Sequence, residues 1–240
     1  MKKLTLLLAA VACLCTGNAN AQDGKGSINF VPYVGMNYSN LSGDVEWFYW
    51  GKGEGKANIT IGARVEFQWT DKSALLVDYN FRRLGANFSN VLVDDETLHG
   101  LNRRLIEDKV IFDCHSFGVQ YKQNILCGLS ARTGVELECR GQSYHMYSVE
   151  LYDPETNARP ETVEYDYLEG LYKEDIDDSH HGYRSDNVNI PLGLTYDYKN
   201  FSINATYHLP LTSCATQGKY SIRHQAFDLT IGYRLPLRKR

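Results

Sequence analysis

The chain has 240 residues, 43% hydrophobic and 22% charged, with 20 Gly and 6 Pro, which excludes disordered, collagen-like and disulfide-dense small proteins. Its formal net charge of -4 comes without any basic block, which argues against nucleic-acid binding. The longest apolar run, Leu4–Cys15, falls short of the roughly 18 apolar residues a membrane helix needs, so a helical membrane protein is excluded.

That run reads as an address. Lys2 and Lys3 precede it, and Ala19-Asn20-Ala21 closes the segment before Gln22. A charged start, an apolar centre and an A-x-A site are the parts of a secretory signal peptide, predicted over 1–21, with one domain over 22–240. A lipoprotein signal at Ala10-Val11-Ala12-Cys13 is the lesser reading, because the Leu usual three places before such a cysteine is missing.

Period-2 alternation then predicts eight strands. They are Ile28–Tyr38, Asn58–Thr70, Ser73–Arg83, Cys114–Lys122, Ile125–Cys139, Asn187–Lys199, Phe201–Leu211 and Gln225–Leu235. In the second, Ile59, Ile61, Ala63, Val65, Phe67 and Trp69 form one face, and Thr60, Gly62, Arg64, Glu66 and Gln68 the other. Asp71-Lys72, Gln123-Asn124 and Lys199-Asn200 read as tight turns, while 39–57, 84–113, 140–186 and 212–224 are long connections. Short and long links alternate. In an up-and-down barrel this gathers all short turns at one end and all long loops at the other, as in bacterial outer-membrane barrels.

A soluble barrel such as a lipocalin also alternates, with its apolar face inward. Glycine position favours the opposite arrangement. Gly35, Gly62, Gly118, Gly128, Gly134, Gly193 and Gly232 are all assigned to the polar face. Small residues suit the crowded interior of an eight-stranded barrel, and water imposes no such crowding. On the apolar face, Trp69, Tyr121, Tyr198, Phe201, Tyr233 and Phe30 lie toward the short turns, with Tyr38, Tyr79, Phe81 and Tyr207 toward the other end. Two aromatic rings are what lipid–water boundaries select.

The signal peptide, the eight strands and the segment Phe227-Asp228-Leu229-Thr230-Ile231-Gly232-Tyr233-Arg234-Leu235 resemble the outer-membrane β-barrel proteins (porin-like, PorT-like) of Bacteroidota, and more loosely the OmpX and OmpA barrels. The resemblance spans the mature chain and implies a bacterial outer-membrane location. Those families end on an aromatic residue; here Pro236-Leu237-Arg238-Lys239-Arg240 follows.

The polar faces carry Arg64, Arg82, Arg132, Arg140 and Arg234 against Glu66, Asp78, Glu136, Glu138, Asp197 and Asp228, with Lys122 and Lys199 set aside as turn-flanking. Near-balance favours a salt-bridged plug over a charge-selective pore. His145, Ser148 and Glu150 are the residue types of an acyl-transfer triad, but the spacing matches no known motif, and chance co-occurrence is the better reading. Cys114, Cys127, Cys139 and Cys214 are either bridged or small apolar fillers.

Segment 150–186 holds 12 Asp or Glu against 3 Lys or Arg. Val163, Tyr167, Leu168, Leu171, Tyr172 and Ile176 follow Pro160 at helical spacing, which predicts a short amphipathic helix there. Asp175, Asp177, Asp178, His180, His181 and Asp186 partly match a calcium loop, but His180 stands where that loop requires Gly, so no metal is assigned.

The expected protein is therefore an all-β, eight-stranded antiparallel up-and-down transmembrane β-barrel with short periplasmic turns and long extracellular loops. No catalytic, cofactor-binding or metal residue is assigned, and no cofactor. The expected partners are outer-membrane lipid and, at the long loops, an extracellular protein or other ligand; a monomer is expected. A narrow pore for small solutes and a lipid-modifying enzyme are the alternatives.

Overall fold

Alternating sequences form strands that cover one another edge to edge, and here they close on themselves. The computed structural model describes residues 24–44, 53–88, 91–93, 102–152, 170–175, 185–214 and 221–238. The predicted signal peptide lies outside them. The strands are β1 (Ile28–Gly43), β2 (Glu54–Gln68), β3 (Ser73–Phe88), β4 (Val91–Val93), β5 (Asn102–Leu126), β6 (Leu129–Tyr152), β7 (Gly170–Asp175), β8 (Asp186–Tyr198), β9 (Phe201–Pro210), β10 (Ile222–Tyr233) and β11 (Leu235–Arg238). All pairings are antiparallel.

Eight of these strands form a closed barrel in the order β1-β2-β3-β5-β6-β8-β9-β10, and β10 returns to β1 with Tyr33 opposite Gly232. Closure leaves no open edge in the ring. β4 and β7 lengthen the wall at one end by pairing with β5 and β6, and β11 pairs with the start of β1 at the other. The tail that follows the final aromatic therefore belongs to the sheet as far as Arg238.

The links alternate as expected, with one correction. The turn between β5 and β6 is Cys127-Gly128, not Gln123-Asn124, which sit in β5 opposite Ala131 and Ser130. Cys127 and Gly128 have φ of 39° and 84°. Two successive positive φ values make the primed hairpin turn, which suits the strand twist and favours Gly at the second place. Gly128 is a turn residue and leaves the polar-face set. Ile125 lies in β5, which ends at Leu126, rather than starting β6. Hydrophobic parity runs unbroken through this hairpin, so it could not locate the turn.

The long connections also shrink. β3 continues to Phe88, β5 begins at Asn102 and β6 runs to Tyr152. Leu171 and Tyr172, assigned to a helix by spacing, lie in strand β7 opposite Ser148 and Tyr147. Pairing to the exposed edge of β6 overrode the local helical pattern. The rest of the proposed helix lies outside the described residues.

Between the short turns and the level of Arg82, Cys114 and Arg140 the outward face is apolar and the inward face polar. β10 shows it most regularly, each residue from Ile222 alternating between buried and exposed. Val77, Val119, Val135, Leu194, Ile203 and Leu229 point outward and are exposed. Ser116, Thr195, Ser202 and Asn204 point inward and are buried. Trp69, Tyr121, Tyr198, Phe201 and Tyr233 are exposed toward the short turns, as expected.

Toward the long connections the pattern inverts. Leu41, Leu84, Ala86, Phe88, Val110, Phe112, Cys214, Ile222 and Ala226 form a buried apolar cluster inside the barrel. Outside, at the same level, Arg83 donates to Asp113 through Nε and Nη2 at 2.7 and 3.0 Å. The ladder carries bulges close to this switch, in β2 between Gly55 and Thr60 and in β6 opposite Phe112 and Cys114. Bulges bend and re-aim a strand, which suits a change of surroundings.

Candidate functional site: the charged lumen

Inward parity collects the ionisable residues of eight strands into a narrow column. At its upper end Arg82, fully buried in β3, donates to Glu136 Oε1 at 2.5 Å, Glu138 Oε2 at 2.7 Å and the Ser116 hydroxyl at 2.9 Å, with Asp228 at 3.8 Å. His208 of β9 bridges the same carboxylates. Its Nδ1 is 3.1 Å from Glu136 and its Nε2 is 3.1 Å from Asp228. An imidazole donates to both only when both nitrogens carry hydrogen. His224 stands above, with Nδ1 3.9 Å from Glu138 and its ring 4.6 Å from that of Phe112, against the apolar cluster.

At mid-height the Tyr33 hydroxyl donates to Asp78 at 2.5 Å, Arg132 lies 3.9 Å from Asp78, and Arg132 also donates to the Thr206 hydroxyl. The Arg64 guanidinium sits 5.3 Å from the Tyr33 ring centre, a cation–π distance. Near the short turns, Asp197 accepts from Lys122 at 2.7 Å and pairs with Arg234 at 2.7 Å. Glu66 is within 3.4 to 3.6 Å of Arg64, Lys122 and Arg234.

The charges singled out in the sequence thus do converge. Arg64, Arg82, Arg132, Arg234, Glu66, Asp78, Glu136, Glu138, Asp197 and Asp228 are all buried. Arg140 is half-buried beside Phe112, 5.9 Å from its ring. Lys122 is a correction: it is buried in the column instead of flanking a turn, because β5 continues past it. Lys199 is exposed at its turn. Three participants lay outside that set: Tyr33, His224 and His208, the last carried to the polar face by the alternation of Phe201–Leu211. Tyr33 and His224 are of types that read equally well as wall or loop residues, yet Tyr33 shares parity with Gly35 and Asn37, and that parity was the available signal.

The lumen offers little space. Its polar cavity among these side chains, bounded by Asp78, Arg132, Glu136, His208 and Asp228, measures about 10 Å³, the size of one water. Its chemistry is that of mutual neutralisation, with each charge facing an opposite one.

The other expectations fall as follows. His145, Ser148 and Glu150 lie within strand β6 rather than in a loop. Asp175 ends β7 and Asp186 begins β8, while Asp177, Asp178, His180 and His181 lie outside the described residues. Cys114, Cys127, Cys139 and Cys214 are free thiols. Cys114 and Cys214 fill the apolar cluster, which is the filler reading.

Compared with known protein families, the chain matches none, and no curated protein sequence matches it. Solved structures resemble it at low identity. The attachment invasion locus protein Ail of Yersinia pestis is 12% identical, the match covering 88% of this chain and 99% of that one, with a TM-score of 0.43. Neisserial surface protein A is 9% identical over 86% of this chain and 97% of that one, TM-score 0.42. The outer membrane protein OprG from Pseudomonas aeruginosa is 12% identical over 90% and 99%, TM-score 0.37.

Proposed function

We propose that this chain is an exported, non-enzymatic protein of the bacterial outer membrane, whose barrel anchors extracellular loops with a structural or surface-interaction role. The observation that carries the reading is the change of polarity along the wall. On the short-turn side of the switch the barrel presents apolar side chains outward and a neutralised charged column inward, an arrangement that water would penalise and hydrocarbon favours. Above that band the outer wall turns polar and the inside apolar, the arrangement water favours. The switch near Arg82, Cys114 and Arg140 marks the outer boundary of the membrane. The short turns then face the periplasm, and β4, β7 and the long connections face outward.

The filled lumen supports anchoring over permeation, and recognition then falls to the loops that a rigid scaffold presents. The sequence resemblance to Bacteroidota outer-membrane barrels belongs to the same reading. Fractionation tests it. The protein is expected in outer membranes and to shift on a gel only after boiling, and protease added to intact cells is expected to cut within 153–169 or 176–184. Recovery as a soluble periplasmic protein would overturn the reading.

A further inference from the structure

The outward wall is not uniformly convex. A groove of about 510 Å³ lies across β6, β8 and β9, within the range of small-molecule sites. Its origin is a mismatch in side-chain size. Ala131 of β6 and Ala205 of β9 flank Leu194 of β8 in one cross-strand row. Large neighbours, Tyr121, Tyr207 and Phe227, stand around these two small ones. The lining is mostly apolar, with Gln123, Arg132 and Thr133 its polar members, so in the band assigned to the membrane its natural occupant is hydrocarbon.

Position selects the leaflet. Ala131 lies close to the turn at Cys127-Gly128, and Ala205 and Leu194 close to the turn at Lys199-Asn200. The groove is therefore in the periplasmic half of the wall, continuous with the lipid contact surface of the inner leaflet. Lys199 lies outside that lining, on the periplasmic side of it beyond Tyr196 and Tyr198 of β8, exposed at the β8–β9 turn with its Nζ 5.4 Å from the Tyr198 ring centre. A cation held at the aromatic level complements a lipid phosphate.

We infer that the barrel carries a phospholipid site, with one acyl chain in the groove beneath Leu194 and the phosphate against Lys199. The inference rests on the membrane reading above and adds a specific lipid to it. Native mass spectrometry of the barrel, extracted from outer membranes in mild detergent and then titrated with palmitoyl-oleoyl phosphatidylglycerol, tests it. Ala205→Phe fills the groove with apolar bulk on a lipid-facing position, so the barrel still folds. Lys199→Gln removes the cation. Val77→Phe adds the same bulk on the far wall as a control.

The parent and Val77→Phe are expected to retain one phospholipid. Ala205→Phe is expected to weaken retention about tenfold, equivalent to roughly 1.4 kcal/mol, and Lys199→Gln to weaken it to a smaller extent. Equal retention by Ala205→Phe and the parent, no retained lipid in the parent, or a retained glycolipid of the outer leaflet would each overturn the site. In all three cases a heat-modifiable barrel would leave the membrane reading standing, whereas a soluble protein would remove both.

Discussion

Arg82 is the most tightly held charge of the column, with Glu136, Glu138 and Asp228 around it and no exposed surface. Desolvating a guanidinium is costly, and only opposing charges at hydrogen-bond distance offset it. Removing the cation would leave three buried carboxylates facing one another, with His208 as their nearest remaining partner. Arg82→Leu is therefore expected to destabilise the barrel by about 3–5 kcal/mol, read as a lower temperature for loss of the compact gel form or a lower urea midpoint. A midpoint within about 0.5 kcal/mol of the parent, the scatter of ordinary surface changes, would show that the column is not what holds the interior together. Lys122 illustrates how such a role hides. Beside a supposed turn it reads as solvated; inside a continuing strand the same residue must find Asp197 and Glu66.

Among the strands, the pair β5–β6 is the longest, 25 and 24 residues, and it carries the wall well above the level of the polarity switch. Gly134 sits in this pair opposite Gln120. A Cβ there would stand 2.1 Å from the Val119 carbonyl oxygen and 2.6 Å from the Gln120 Cα, so the two backbones approach too closely for any side chain. Gly134→Trp is expected to prevent assembly, leaving a band that no longer shifts on boiling and is sensitive to protease. Normal heat-modifiability of that variant would mean that the position faces open solvent and that the lumen assignment is wrong. The sequence pointed to this glycine through its parity among charged neighbours, though the contact it avoids is with a backbone rather than with the lumen filling.

On the scale of the whole molecule, the lumen is closed twice. A neutralised column fills the part nearer the short turns, and a buried apolar cluster with Leu84, Phe88, Phe112 and Ile222 lies above it. The polar cavity within the column has room for about one water, about 10 Å³. An ion crossing here would have to displace paired charges and then pass an apolar plug, and each step is unfavourable. Purified protein in a planar bilayer is expected to add no resolved conductance steps above the bare membrane. Regular steps that scale with salt concentration would establish a pore and set the anchoring role aside.

The sequence alone determined the barrel: eight period-2 segments, the alternation of short and long links, and the assignment of Arg and Glu residues to one face, because a side-chain period of two is a local property that any register preserves. It could not determine where β5 ends, since Ile125, Cys127 and Leu129 continue one parity across the Cys127-Gly128 turn. Nor could it determine that β7 is a strand, because Leu171 and Tyr172 meet helical spacing as well as strand pairing, and only the edge of β6 decides. The polarity inversion also belonged to the tertiary structure. Leu84, Ala86 and Phe88 keep the inward parity of Asp78, Asn80 and Arg82, and what changes is the polarity of the side chains they meet inside the closed wall. The same holds for the groove, which exists because Ala131 and Ala205, far apart in the chain, become neighbours of Leu194 once the strands are in register.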